Sequence, residues 1–156
     1  MKKALLYATI LLLAAAFAAA QDKPNFSGKW VLDLSKSNFE PLPAPDSQVR
    51  VIDHKEPKLK ISETTKDQRG ERTRDREITT DGKENKTTVG PNEYASKSRW
   101  DGNRLITEGT LKLENGTNID IKETAELSDD GNVMTLKREL KSPQGEATQK
   151  LTFNKQ

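Results

Sequence analysis

From Phe26 onward, apolar and polar residues alternate with a period of two. That is the signature of strands with one buried face. In the opening run, Gly28, Trp30, Leu32 and Leu34 fall on one face and Lys29, Val31 and Asp33 on the other. No helical periodicity follows residue 20. Strands are expected to begin at Phe26, Gln48, Lys58, Glu71, Lys83, Glu93, Arg104, Asn118, Asn132 and Glu146. Turn residues punctuate them, among them Gln68-Arg69-Gly70, Asp81-Gly82, Asp101-Gly102, Asn115-Gly116 and Pro143-Gln144-Gly145. Short turns at this spacing predict an all-β chain, a single antiparallel up-and-down β-barrel of about 8–10 strands. The segment from Ser35 to Ser47 breaks the pattern. Pro41, Pro43 and Pro45 cannot donate to a ladder, so an extended linker is expected, either covering one barrel end with Phe39 and Leu42 as a plug or running as a solvated loop.

The C-terminal half predicts its own register. A three-residue Asn115-Gly116-Thr117 loop would pair Leu113 with Ile119, Leu111 with Ile121 and Leu105 with Leu127. Gly109 would then lie opposite Glu123. A two-residue Pro143-Gln144 turn would pair Leu140 with Ala147, Leu136 with Leu151 and Met134 with Phe153. These hairpins agree on one apolar face, and a one-residue slip would turn each apolar set outward. The same register points Glu123, Arg138 and Gln149 inward, with Arg138 opposite Gln149 and diagonal to Glu123. A desolvated charge left unpaired costs several kcal/mol, roughly, so these side chains must meet each other, water or a ligand.

The middle third differs. From Ser62 to Arg99 the only sizeable apolar residues are Ile78, Val89 and Tyr94. Arg72, Arg74 and Arg76 alternate with Thr73, Asp75 and Glu77, so neither face can bury a dry core. Charged faces usually mean solvent, and a ladder solvated on both sides is the expectation. A wet cavity lined by its inner face is the alternative.

Composition and charge change this picture in two ways. Lys2 and Lys3, the apolar run from Ala4 to Phe17 and the small residues Ala18-Ala19-Ala20 read as a signal peptide over 1–20, helical and cleaved before Gln21. The mature barrel domain is then 21–156, in the periplasm or outside the cell, with no stable membrane insertion after cleavage. Removing Lys2 and Lys3 from 26 basic residues against 24 acidic ones leaves formal neutrality, so no nucleic-acid partner is indicated. About 25 Leu, Ile, Val and Phe in residues 21–156 make a thin core, and there is no cysteine to staple it.

Phe26-x-Gly28-x-Trp30 at the start of the first strand resembles the calycins, meaning lipocalins and intracellular fatty-acid-binding proteins. Trp100-Asp101-Gly102-Asn103, the later Asp-Gly turns and the final strand are similar too. The Asp33-Leu34-Ser35-Lys36-Ser37 continuation is similar to that of small exported bacterial proteins with a G-x-W opening. The resemblance implies a barrel and a ligand-binding interior. It does not carry over fatty-acid binding. Ser35 to Ser47 is too short and Pro-rich for the two lid helices of that family. Its carboxylate-binding Arg-x-Tyr is also missing from the last strand, which reads Gln149-Lys150-Leu151-Thr152-Phe153.

No catalytic residue, metal site or cofactor is expected. His54 is the only histidine and reads as a surface residue without catalytic partners. Two functions stay open. In the first, the barrel binds a small amphipathic ligand. Arg138 meets its polar group beside Glu123 and Gln149, while Trp30, Leu111, Ile121 and Leu136 line the apolar part. In the second, Glu123 and Arg138 form a structural pair in a filled barrel. The chain is then a non-enzymatic envelope module that binds a protein through its sheet surface or the Pro41–Pro45 loop.

Overall fold

A computed structural model describes residues 23–156; the expected signal peptide at 1–20 lies outside the described residues. Ten antiparallel strands follow in chain order. They are β1 (Gly28–Leu32), β2 (Ser47–Lys55), β3 (Lys58–Asp67), β4 (Gly70–Thr79), β5 (Asp81–Val89), β6 (Asn92–Asp101), β7 (Arg104–Lys112), β8 (Asn118–Leu127), β9 (Val133–Ser142) and β10 (Gly145–Lys155). Each expected strand start lies within two residues of an observed one. The turns therefore carried the boundaries, and the alternation carried the faces.

The strands form one sheet in the order β4-β3-β2-β1-β10-β9-β8-β7-β6-β5. It is an up-and-down meander whose first and last strands meet: Trp30 pairs with Lys155 and Leu32 with Phe153. The barrel is nearly closed. Among the described residues, the one gap in the ladder lies between β4 and β5, which are consecutive in the chain but stand at opposite sheet edges. An irregularity between Asp81 and Glu84 re-aims β5 just after the turn, as bulges do when they end a pairing. Both edges carry dense charge, Glu71-Arg72-Thr73-Arg74-Asp75-Arg76 and Lys83-Glu84-Asn85-Lys86, which protects open edges from pairing with other chains.

The β9–β10 register is the expected one, with Leu136 opposite Leu151 and Met134 opposite Phe153. The β7–β8 register is not. Leu111 pairs with Ile119, Gly109 with Ile121 and Leu105 with Ala125. The loop is Glu114–Gly116, closed by Leu113 N–H donating to the Thr117 carbonyl at 2.9 Å. This moves the pairing by two residues, so every side chain keeps its expected face while its partner changes. Thr107, not Gly109, lies opposite Glu123, and Arg138 lies directly opposite Glu123 rather than diagonal to it. The bareness of Gly109 serves a different neighbour. A Cβ there would sit 2.6 Å from the Ala95 carbonyl oxygen and 2.8 Å from the Tyr94 ring.

Between β1 and β2 the chain makes a 3₁₀ turn at Leu34–Lys36. The Asp33 carboxylate caps it by accepting from Ser35 N at 3.1 Å and Ser35 Oγ at 2.6 Å. Ser37 Oγ donates to the Asp33 carbonyl and accepts from Thr152 N at 2.9 Å. The Asp33 to Ser37 motif thus fastens the end of β1 to β10. The Pro-rich segment then crosses one end of the barrel. Phe39 packs against the core as expected, whereas Leu42 is 52% exposed and does not plug it.

Candidate functional site

The interior divides along the barrel axis. The closed end holds Phe26, Trp30, Leu32, Ile52, Leu59, Ile61, Ile78, Leu105, Met134, Leu136, Leu151 and Phe153 in one packed cluster. Trp30 and Phe153 are wholly buried, and the Trp30 indole N–H donates to the Phe26 carbonyl at 2.9 Å, the partner a buried indole requires. His54 belongs to this end and is not a surface residue. It is buried because it lies on β2 with the parity of Ile52. Its Nδ1 accepts from Phe26 N at 3.2 Å, and its Nε2 meets Glu56 Oε1 at 2.9 Å. The ring stacks on Trp100 and lies tilted beside Phe26, which itself stacks on Trp100. Glu56 further accepts from Trp100 Nε1 at 2.8 Å and Thr80 Oγ1 at 2.5 Å. Partial burial pushes its carboxyl up, but these bonds from Thr80, His54 and Trp100 outweigh burial and hold it below the ordinary range. The cluster seals the closed end.

The other half is lined by charge. Glu123, Arg138 and Gln149, the three polar residues expected to face inward, stand in one row across β8, β9 and β10. Arg138 holds Glu123 Oε1 through Nε at 2.8 Å and Nη2 at 2.7 Å. Gln149 does not bond Arg138; its amide donates to the Phe39 carbonyl at 2.7 Å and fixes the Pro-rich segment. Arg76 reaches Glu123 Oε2 at 3.4 Å from the far side of the barrel. The inner face of β4 therefore lines a charged interior, which overturns the expected ladder solvated on both sides. Its parity is set by Ile78, which is buried in the core, so Arg76, Arg74 and Arg72 follow it inward at period two.

Sequence reasoning missed Arg50 and Glu63. Arg50 is 3% exposed and lies 2.6 Å from Glu63 Oε2. That distance makes an ion pair, but the angles fall short of a hydrogen bond, and Arg50 Nε has no partner either. The guanidinium also lies over the Phe153 ring at 4.9 Å. Hydropathy hid Arg50 because its neighbours Val49 and Val51 occupy the outer face of β2. Only its parity with Ile52 would have found it.

The electrostatics follow from this crowding. Burial works against the charge on Glu123, but Arg138, Arg76 and Arg50 outweigh it and hold the carboxyl well below its usual range. Glu63 is held low by the same three guanidiniums against its own burial. Arg50 moves the other way. Its burial exceeds the help of Glu63 and Glu123 and lowers its pKa. Burial, then Glu123, raises the Tyr94 hydroxyl.

The apolar residues expected to line the site separate into two groups. Trp30 and Leu136 sit in the packed closed end. Leu111 and Ile121 are half-buried on the inward face of β7 and β8, outside the packed cluster. Beneath the Pro-rich segment a cavity of about 660 Å³ opens at the charged end, walled by Phe39, Gln48, Arg74, Arg138, Gln149 and Leu151 among others. Its size lies within the roughly 300–1,000 Å³ of small-molecule sites.

Compared by sequence, the chain matches no described protein family and no curated protein. Compared by structure, it is similar to secretory abundant heat soluble protein 4 from Ramazzottius varieornatus, with a TM-score of 0.58 and 16% identity over 89% of this chain and 99% of that one. The fatty acid transporter REP1-NXSQ gives a TM-score of 0.57 and 18% identity over 83% and 97%. The zebrafish ileal bile acid-binding protein complexed with cholic acid gives 0.54 and 20% over 84% and 98%. Identities this low carry the fold alone, and that fold is the calycin-like barrel that Phe26-x-Gly28-x-Trp30 resembles.

Proposed function

We propose that the chain is an exported, soluble, non-enzymatic carrier that holds a small amphipathic ligand in the charged half of its barrel. The observation that carries this reading is an excess of inward positive charge. Three guanidiniums, of Arg50, Arg76 and Arg138, share two carboxylates, Glu63 and Glu123. A buried cation without full compensation is costly, and an anionic group on a ligand would balance it. Leu111 and Ile121 supply apolar surface in the same half, while Trp30 and Leu136 form the floor. The transport and bile-acid-binding neighbours support a binding role on this fold. Export rests on Lys2, Lys3 and the apolar run that follows them.

Native mass spectrometry of protein purified from its own envelope fraction tests the reading, together with solvent extraction and thermal shift against hexadecanoate and aromatic acids. A ligand at 100 times its Kd stabilises by about 2.7 kcal/mol, so a bound mass and an upward shift are expected. A clean ligand-free mass with no shift overturns it. The dense closed end favours a second reading, a filled barrel that acts as a protein-interaction module. A crosslinked partner recovered with a ligand-free barrel would select that one.

A further inference from the structure

The cavity under the Pro-rich segment has one cation and one amide left unspent. Arg72 is held by Asp67 at 3.1 and 2.5 Å. Arg138 is held by Glu123. Arg74 lines the same cavity, and among the described residues no carboxylate lies within ion-pair distance of it. Its register partner Glu63 is taken by Arg50. Gln48, 8% exposed, is the second observation. Its Nε2 bonds Thr65 Oγ1 at 3.1 Å, and its Oε1 is buried with no partner. A hydroxyl both donates and accepts, so the amide can turn and keep Thr65 while its N–H takes the buried position that Oε1 holds in the cavity wall. Buried amide groups are almost always partnered, which makes this vacancy informative. On the opposite side the cavity is apolar, with Phe39, Leu42, Pro43 and Leu151. Asp46 stands at the loop end of the wall, so the positive ground lies toward β4.

We propose that this cavity is the headgroup site for an amphipathic anion, with its acid group between Arg74 and Gln48 and its apolar body under Phe39 and Leu42. The inference rests on the carrier reading and places the acid group at the mouth of the barrel, on Arg74, which is uncommitted, and not on Arg138, which Glu123 already holds. A strong oxyanion, a sulfonate, phosphate or carboxylate, matches a guanidinium fork.

Two fluorescent probes of similar shape separate the outcomes: 8-anilinonaphthalene-1-sulfonate, which is anionic, and N-phenyl-1-naphthylamine, which is neutral. Titration of the intact protein with each gives a Kd. Arg74→Gln should weaken the sulfonate probe about tenfold or more, as expected for a lost hydrogen bond to a charged group, and leave the neutral probe unchanged. Arg74→Lys should restore part of the loss. Leu42→Ser should weaken both probes, and Lys137→Gln on the outer face should weaken neither. If both probes bind and neither responds to Arg74→Gln, the headgroup site is refuted and the carrier reading survives. If neither probe binds and the native mass is ligand-free, both fall. Unfolding curves of the two Arg74 variants superimposed on the parent curve exclude misfolding as the cause.

Discussion

The two ends of this barrel are built from the same alternation and solve opposite problems. At the closed end, inward positions carry Trp30, Phe153, Leu59 and Met134, each no more than 2% exposed, and stability comes from close packing. Toward the mouth, inward positions carry Arg50, Glu63, Arg76, Glu123 and Arg138, held by ion pairs rather than by apolar packing. A chain with few large apolar residues cannot fill ten strands' worth of interior. It concentrates them at one end and leaves the other polar. The fold is held by the first end, and the charge is gathered at the second.

The contrast is most open to attack at Trp30. Trp30→Ala removes a wholly buried ring and its bond to Phe26, and should cost about 3–5 kcal/mol. In a domain whose total stability is about 5–15 kcal/mol, that is enough to leave a large unfolded fraction at room temperature. Urea unfolding followed by circular dichroism measures it. A loss below about 1 kcal/mol would mean the closed end does not hold the fold.

The mouth should respond to charge and not to volume. Glu123→Gln leaves Arg138 and Arg76 facing each other without their carboxylate. Breaking a buried pair costs about 3–5 kcal/mol; Arg76 and Arg138 are each roughly a quarter exposed, so about 2–3 kcal/mol is expected. The same change frees Arg138 for an anion, so the sulfonate probe should bind more tightly while the fold weakens. The pH dependence has a definite sign. The folded-state pKa of Glu123 lies below the unfolded value of about 4.3. Its contribution is therefore fully present above about pH 5 and is lost as the pH falls further. Glu63 shifts in the same direction. Acid unfolding of the parent should steepen below about pH 4.5, and Glu123→Gln should flatten that slope.

These two ends were not equally legible in the sequence. The closed end was, because hydrophobic parity and burial agree there: Leu136 opposite Leu151 and Met134 opposite Phe153 follow from a two-residue turn and an apolar face. Glu123 and Arg138 were legible for the same reason, as polar residues interrupting an apolar row. Arg50 was not, because the valines flanking it make its strand look apolar outward. The Arg72, Arg74 and Arg76 series lacked any apolar residue before Ile78 to reveal its parity. The β7–β8 error had another origin. A loop moved by two residues preserves every face, so facial agreement cannot detect it.

Gly109 tests the close approach of β6 to β7. In its pairing with Ser96 the Ala95 carbonyl, the Ser96 Cβ and the Tyr94 ring close over the Cα. Gly109→Ala should cost about 1–3 kcal/mol by overpacking, although alanine is ordinarily better than glycine in a strand by about 0.5–1 kcal/mol. The backbone oxygen cannot swing aside as a side chain could, so the clash prevails. A neutral or stabilising result in thermal unfolding would mean that β6 does not close over Gly109.

The smallest effect on stability is expected at Leu42, and it sharpens the contrast most directly. Leu42 is a large apolar residue on the segment that covers the mouth, yet it is 52% exposed and lies outside the packed cluster. If the cover were a plug, removing its apolar surface would destabilise the barrel as a core truncation does. If it is instead the apolar wall of a site, Leu42→Ser should change the unfolding free energy by no more than about 0.5 kcal/mol. Phe39 is the internal control, because it sits on the same segment and packs against the core. Phe39→Ala should therefore lose stability measurably while Leu42→Ser does not. Equal losses at the two positions would make the segment part of the core, and the division between a structural end and a binding end would no longer stand.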